Sequence, residues 1–244
     1  MALVDIGPSA QSAVPALIMA LDDTKGAVTV AAAGALGRIG KAAVPELVKK
    51  LKEPQFQQLV ATVLAEIGPD AAEAAPGLLE LAKSGGPETR REAILALAQI
   101  GPAAKQTAPE LIKLLNDESF PFRGAVAFAL GKMEAKEAIP ALKQVVDAPK
   151  DSMLRLSSIW ALLQFDPNNP EYAAIAVPRL AAALTDERPR VRKEVATTLG
   201  RLGAQAAKAV PDLQKALNDE IPEVRVEVIA ALADIGRGCC GSRS

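Results

Sequence analysis

The sequence contains no histidine, only two cysteines and few aromatic residues. Only 3% of its 244 residues are aromatic, and the cysteines, Cys239 and Cys240, are adjacent. Without histidine the chain cannot form a Ser-His-Asp triad, a Cys-His pair or a histidine-ligated metal site. Adjacent cysteines do not have the spacing of a CxxC site. We therefore predict no catalytic residue, no metal and no cofactor.

An excess of charge of one sign is also lacking, since 28 basic residues face 29 acidic ones. This balance gives no electrostatic argument for binding nucleic acid or an anionic membrane. The longest apolar stretch, residues 27–37, is too short to cross a bilayer. The start MALVDIG has neither the basic residues nor the apolar run of a secretory signal. We predict no nucleic acid and no membrane as partners and a cytoplasmic location by default, and the sequence leaves the oligomeric state open.

What the sequence does contain is a repeated phrase, such as LGRIG, LAEIG and LADIG. Each phrase has an apolar anchor residue, and the anchors are Ile6, Ile39, Ile67, Ile100, Met133, Phe165, Leu202 and Ile235. The shortest interval between anchors, from 39 to 67, is 28 residues, and the longest, from 165 to 202, is 37. Self-similarity at such a period indicates stacked supersecondary units.

Apolar residues before each anchor predict a helix, which we call helix B. They lie 3, 4, 7 and 11 residues before the anchor, which places them on one stripe of an α-helix. Glycine follows most anchors and predicts a left-handed C-terminal cap, as at Gly7, Gly40, Gly68, Gly101, Gly203 and Gly236. A proline that is followed two residues later by leucine predicts the start of a shorter helix, which we call helix A. These prolines are Pro15, Pro45, Pro76, Pro109, Pro140, Pro178 and Pro211.

Each unit is thus a helical hairpin that cannot bury its apolar stripe alone. Stacked hairpins form a continuous core, so we predict an all-α fold, an α-solenoid of about seven hairpins that occupies residues 1–238 as a single array. The short interval predicts a trimmed connection or shortened helix ends. The long interval predicts an exposed loop at residues 166–172. Residues 239–244, which end in GSRS, are predicted to be a tail left by cloning.

Three stretches of the sequence resemble a known family of repeats. The runs LNDEIPEVRVEVIAALADIG (217–236), LTDERPRVRKEVATTLGRLG (184–203) and LLNDESFPFRGAVAFALGKM (114–133) resemble HEAT repeats of the phycobilisome-lyase-like subclass. The resemblance covers nearly the whole chain. It implies the solenoid fold, but it does not imply one activity, because such repeats serve many functions.

The resemblance also implies a ladder of hydrogen bonds between neighbouring repeats. In the family, an aspartate in the turn within each repeat and an arginine early in helix B form this ladder. The matching pairs are Asp117/Arg123, Asp186/Arg192 and Asp219/Arg225. Arg90 and Arg155 keep only the arginine, and repeats one and two depart from the pattern. We expect these arginines to stabilise stacking rather than to bind phosphate.

The B helices of such repeats line the inner, concave wall, where partners usually bind. Five residues before the anchor, the three central repeats carry large apolar side chains. The predicted binding strip consists of Ile94, Leu95, Phe128, Leu156, Ile159, Trp160 and Leu163. An apolar strip with aromatic residues is typical of a partner-binding surface, although the same residues could instead thicken the core between repeats.

These observations predict a non-enzymatic scaffold that binds a protein or peptide in its concave groove. Two alternatives remain open. One is a cradle similar to a bilin lyase, which would act on a partner protein, because the resemblance includes that subclass. The other is an engineered repeat scaffold, which the uneven intervals between anchors disfavour.

Overall fold

The structure is a computed structural model that describes residues 11–147 and 151–240, with only the backbone described for 238–240. These residues form α-helices and short 3-10 segments, and no strand occurs among them. The fold is therefore the predicted all-α solenoid of helical hairpins. The anchor Ile6, the cap Gly7 and the tail residues 241–244 lie outside the described residues.

Fourteen α-helices lie in the described part of the chain, and they alternate between helix A and helix B. The A helices are α1 (Val14–Ala20), α3 (Val44–Lys50), α5 (Ala75–Ser84), α7 (Ala108–Asn116), α9 (Ile139–Val145), α11 (Pro170–Ala183) and α13 (Val210–Ala216). The B helices are α2 (Gly26–Ile39), α4 (Gln57–Ile67), α6 (Pro87–Ile100), α8 (Arg123–Lys132), α10 (Ser152–Phe165), α12 (Pro189–Arg201) and α14 (Pro222–Cys240).

Contacts group the chain into two compact units, Met1–Ala161 and Leu162–Ser244. In the first unit the B helices α2, α4, α6 and α8 contact one another in chain order. In the second unit α12 contacts α14, and helices A and B of each hairpin are also in contact. A single array over residues 1–238 stays a prediction, and the two units are described separately below.

The leucine three residues before each anchor forms the centre of the core. Leu36, Leu64, Leu97, Leu130 and Leu199 are fully buried, and Leu162 is 1% exposed. In the last hairpin, Leu232 is only half-buried. Burying a leucine side chain contributes about 1.5–3 kcal/mol, so this repeated position stabilises each hairpin in which it is buried.

Glycine caps end most of the B helices. Gly40, Gly68, Gly101 and Gly203 have φ between 52° and 72°, a backbone conformation that residues with a Cβ rarely adopt. In repeat four, Glu134 takes this role with φ 53°. The prediction of a cap at Gly236 is wrong, because α14 continues through Cys240.

The long interval between anchors lengthens a helix instead of producing an exposed loop. Asn169 caps α11 by accepting hydrogen bonds from the backbone N–H groups of Glu171 and Tyr172, and Pro170 occupies its first turn. Helix α11 therefore begins eight residues before Pro178, and Tyr172 is buried. The prediction of a loop over residues 166–172 is wrong from Pro170 onward. The short interval, in contrast, corresponds to a shortened helix B, since α4 has 11 residues where α2 and α6 have 14.

One helical run, Gly26–Lys50, is long and apolar enough to cross a membrane by length and composition. It is not one straight helix, because Gly40 at φ 72° separates α2 from the 3-10 segment that leads into α3. Its apolar residues include Leu36, Ile39 and Leu47, all of which lie in the core. We attribute the apolarity of this run to the packing of two hairpins.

Candidate functional site

The predicted binding strip divides into buried and half-buried residues. Ile94, Ile159 and Leu163 are 0%, 1% and 8% exposed. A partner cannot contact these three side chains in this conformation, so they are removed from the predicted surface. Leu95, Phe128, Leu156 and Trp160 are half-buried and present part of their side chains to solvent. We call these four residues the apolar surface strip.

The burial of Ile94 follows from its position on helix B. The residue six before the anchor is buried at Ala33, Ala61, Ile94 and Ala127, on four B helices that each precede another B helix. In the last hairpin, where no B helix follows among the described residues, the equivalent Ile229 is 58% exposed. The following B helix therefore covers this position. The residue five before the anchor lies beside it, at the edge of the contact, and stays partly accessible.

Phe128 and Trp160 form the centre of the apolar surface strip. Their ring centroids are 4.7 Å apart, and the ring planes are tilted by 32°. Phe128 lies on α8 and Trp160 on α10, so the pair joins two consecutive B helices. Such aromatic pairs stabilise by about 0.5–1.5 kcal/mol beyond the burial of their surface.

Two glycines on α8 allow α10 to approach closely enough for this pair. A Cβ at Gly131 would lie 2.8 Å from both the Ala161 Cβ and the Trp160 ring, and 2.9 Å from the Ala161 Cα. A Cβ at Gly124 would lie 3.2 Å from the Leu154 backbone nitrogen. The Trp160 ring thus occupies space that the missing side chain of Gly131 leaves open.

The polar surroundings of the strip are mixed in charge. Arg91 forms an ion pair of 3.0 Å with Glu92 on α6. Lys132 and Gln99 are exposed at the C-terminal ends of α8 and α6. Near the start of α10, Met153 is 53% exposed and extends the apolar surface. The site therefore suits an apolar side chain with polar groups around it, rather than a strongly charged ligand.

Of the predicted ladder residues, only Arg192 and Asp219 form a side-chain contact between two hairpins among the described residues. Arg192 donates to both carboxylate oxygens of Asp219, 27 residues later, at 2.6 and 2.9 Å. Both side chains are nearly buried. These hydrogen bonds from Arg192 hold the pKa of Asp219 below its ordinary value, against the opposing effect of burial. This contact joins the two last hairpins, as the family pattern implies.

The other ladder residues bond within their own turn. Asp117 accepts from the Ser119 N–H and hydroxyl, and Arg123 donates to the Leu115 carbonyl at 2.7 Å. Asp186 binds the Arg188 guanidinium. Its backbone carbonyl accepts from Arg192. Arg225 donates to the backbone carbonyls of Asp219 and Glu220. These residues shape the turn that precedes helix B.

A charged contact that the sequence did not predict joins the first two hairpins. Lys50, which is 7% exposed, donates to Asp22 at 2.9 Å and to Glu53 at 3.0 Å, and its ammonium lies 4.0 Å from the centre of the Phe56 ring. Burial favours the neutral amine, but the hydrogen bonds to Asp22 and Glu53 outweigh it, so the pKa of Lys50 is raised. The repeats that depart from the Asp/Arg pattern are therefore linked by a lysine. The only signal for it was a lysine at the end of helix A.

The second unit contains a depression of about 770 Å³ between α11 and residues 203–209. Its walls are mainly alanine and proline side chains, with Val177 in the apolar part and Lys208 and Asp212 among its polar residues. It contains no aromatic ring. Among the described residues, no group of three His, Cys, Asp or Glu side chains could hold a metal ion. The apolar surface strip remains the most distinctive feature for binding.

Comparison with known families agrees with this architecture. The model for HEAT repeats matches residues 44–106, 75–163 and 177–238, which is more than half of the chain. The model described as PBS lyase HEAT-like repeat matches residues 30–53. No curated protein matches the chain.

Three solved structures show the same kind of fold. An engineered protein from the Northeast Structural Genomics Consortium is 26% identical with a TM-score of 0.56, over 96% of this chain and 73% of that one. A second engineered protein from the same consortium is 27% identical with a TM-score of 0.56, over 80% and 97%. A designed armadillo repeat protein in complex with the peptide (KR)4 is 20% identical with a TM-score of 0.52, over 91% and 99%. At the last identity the likeness concerns the fold alone.

Proposed function

The chain belongs to the HEAT-repeat family, and we propose that it is a non-enzymatic scaffold that binds a protein or peptide on the apolar surface strip. The observation that carries this proposal is the Phe128–Trp160 ring pair, which is half-buried and joins consecutive B helices. Leu95 and Leu156 extend the apolar area on either side of it. Surfaces of this kind, with aromatic anchors beside accessible helix faces, are where binding energy concentrates.

The match to the PBS lyase HEAT-like repeat identifies a type of repeat and not an activity. The match to the PBS lyase HEAT-like repeat covers residues 30–53, which include no residue of the strip. It describes a repeat, and the similar solved structures include two engineered proteins and a designed armadillo repeat protein. These findings favour the scaffold over an enzyme that acts on a bilin.

The chemistry of the strip indicates the kind of partner. A partner would place one or two apolar or aromatic side chains against the rings, where they displace water from the accessible faces of Phe128 and Trp160. Its flanking residues would be polar and of mixed charge, since Arg91, Glu92 and Lys132 surround the strip. An amphipathic helix or a short extended peptide meets this description.

Selection from a random peptide library displayed on phage would test the proposal. We expect binders to carry apolar anchors and to lose affinity by at least about tenfold with Trp160→Ala or Phe128→Ala, since anchors of this kind contribute roughly 2 kcal/mol or more. The matched control is Lys113→Ala, because Lys113 is exposed on the A helix α7 and lies outside the strip. Titration of a selected peptide should also change the fluorescence of Trp160, the only tryptophan.

Two results would contradict the proposal. Binders that tolerate both ring substitutions but respond to Lys113→Ala would place the binding site elsewhere. A library that yields no binder with an apolar anchor would show that the strip contributes packing alone. Circular dichroism of each variant would show that it is folded before affinities are compared.

A further inference from the structure

The outer face of the last B helix, α14, is apolar and uncovered in the structure. Val226 and Ile229 are 63% and 58% exposed. The positions equivalent to Ile229 on α6 and α12 are Ile94 and Ala196, and both are fully buried. In those hairpins the position belongs to the side of helix B that faces the next repeat. Helix α14 therefore presents a stacking face of the same kind as the interior ones.

Arg225, at this face, makes two hydrogen bonds, whereas its equivalent Arg192 makes four. Arg192 donates through one nitrogen to the backbone carbonyls of Asp186 and Glu187, and through two others to the Asp219 carboxylate. Arg225 donates to the carbonyls of Asp219 and Glu220 in the same way. Among the described residues, however, no carboxylate lies within ion-pair distance of Arg225. The guanidinium is held by its own turn, and no aspartate of another repeat binds it among the described residues.

The first hairpin carries the complementary residues. Asp23 accepts a hydrogen bond from the Lys25 N–H at 2.7 Å, the same turn that Asp219 forms with the Ile221 N–H at 2.9 Å. Asp23 thus occupies the position of a ladder aspartate and is exposed, with no arginine bound to it among the described residues. On the adjoining face of α2, Val28 is 37% exposed, whereas its equivalent Val224 on α14 is 1% exposed.

We propose that two copies of the chain associate head to tail, so that α14 of one copy stacks on the first hairpin of the next. Arg225 of one copy then binds Asp23 of the other in the geometry of the Arg192–Asp219 contact. Ile229 packs on the α2 face that exposes Val28, and Val226 lies at the edge of the contact, as its exposed equivalent Val30 does on α2. Both the charges and the apolar faces are complementary, and the contact repeats the stacking found within the chain.

This mode of association has a specific consequence. A head-to-tail contact joins two different faces, so each added copy leaves one face of each kind free unless the assembly closes into a ring. Association should therefore depend on concentration and continue beyond the dimer. It should also weaken with added salt, because salt screens the attraction between Arg225 of one copy and the exposed Asp23 of another before they meet.

Sedimentation velocity over a concentration series would test the proposal, in a Cys239→Ser, Cys240→Ser background that prevents disulfide-linked association. We expect the weight-average sedimentation coefficient of this background to rise with concentration. Arg225→Glu and Asp23→Arg should each lower the association constant by at least about tenfold, because like charges then meet. The combined variant, Asp23→Arg with Arg225→Glu, should restore association. Lys136→Glu, which reverses an exposed charge between α8 and α9, far along the chain from both terminal hairpins, is the matched control.

The combined variant shows whether residues 23 and 225 of different copies contact each other. A background protein that stays monomeric at every concentration would overturn the proposal. So would association that the single variants leave unchanged, or single variants whose effect the combined variant does not reverse. Loss of association with Phe128→Ala would instead assign self-association to the apolar surface strip and would equally contradict head-to-tail stacking. Thermal melts of each variant would separate a loss of contact from a loss of folding.

Discussion

At the scale of single residues, the absence of one side chain decides where the only tryptophan lies. The Trp160 ring fills the space beside Gly131, and the same glycine brings the α10 backbone close to α8. Gly34, on α2, is also helical, but a Cβ there would meet nothing within 4 Å. Gly131 and Gly34, each within a B helix, therefore have different roles, and substitution by alanine should distinguish them.

Alanine at these two positions should have opposite effects. Gly131→Ala should destabilise the protein by about 1–3 kcal/mol, because the new Cβ meets backbone and ring atoms that cannot all move away. Gly34→Ala should stabilise it by about 0.5–1 kcal/mol, since alanine restricts the unfolded chain and fits the helix. Urea unfolding of both variants would measure the two changes. Equal effects would contradict the close contact at Gly131.

The half-buried position of Trp160 gives a second prediction at this scale. Its fluorescence in the native protein should lie between that of buried and exposed indoles, with partial quenching by acrylamide. Trp160→Ala should destabilise the fold by about 2 kcal/mol, less than the loss of a fully buried aromatic residue. A double-mutant cycle with Phe128→Ala should give a coupling energy of about 0.5–1.5 kcal/mol for the ring pair. A coupling near zero would mean that the rings do not interact in solution.

At the scale of helices and turns, the ion pair of Arg192 and Asp219 links two hairpins. The pKa of the Asp219 carboxylate is lowered in the folded protein, chiefly by the hydrogen bonds from Arg192. In the unfolded chain an aspartate titrates near its reference pKa of about 3.9. The stabilisation by Asp219 is therefore complete above that value and is lost as the pH falls through the lower pKa of the folded state.

The variant Asp219→Asn should reveal this dependence. At pH 7 it should be about 3 kcal/mol less stable than the native protein, because it leaves the nearly buried Arg192 without its carboxylate. The difference should stay constant between pH 7 and 5 and shrink below about pH 4. Glu118→Gln, at an exposed position of the equivalent turn in repeat four, is the control and should change stability little. A difference that grows as the pH falls would contradict the assigned pKa shift.

The sequence predicts the helices well because their signals are local. The spacing of leucines and the prolines and glycines that flank them define each hairpin, and the buried leucines lie where the stripe places them. The errors arise where a second local signal competes. Asn169 and Pro170 form a helix start of their own, so α11 begins before Pro178. At Gly236 the helix α14 continues through Cys240, and the predicted cap does not form.

The strip was less predictable because it depends on contacts between repeats. Spacing along helix B identified Leu95, Phe128 and Trp160 as equivalent residues, but it could not show that the neighbouring position is covered by the next helix. Ile94 is therefore buried under α8, while Leu95, one position away, is accessible. The lysine contact at Lys50 was missed for the same reason, since Asp22 lies 28 residues earlier in the chain.

At the scale of the whole molecule, stability should depend on how many neighbours each hairpin has. In stacked repeats, each unit is stabilised mainly by the units on either side. Leu130 and Leu199 occupy the same position in two B helices, and both are fully buried. Leu232 is their equivalent in α14 and is only half-buried, because its helix is covered on one side.

Leucine-to-alanine substitutions at these three positions should therefore differ in effect. Leu130→Ala and Leu199→Ala should each destabilise the protein by about 2–5 kcal/mol, through lost burial and the cavity left behind. Leu232→Ala should cost about 1–2 kcal/mol, since less surface is buried there and the helix can relax into the space. Urea unfolding gives these values directly, and hydrogen exchange shows which hairpins open first. Because Leu199 and Leu232 lie in the same compact unit, equal losses at these two positions would contradict stabilisation by neighbouring repeats.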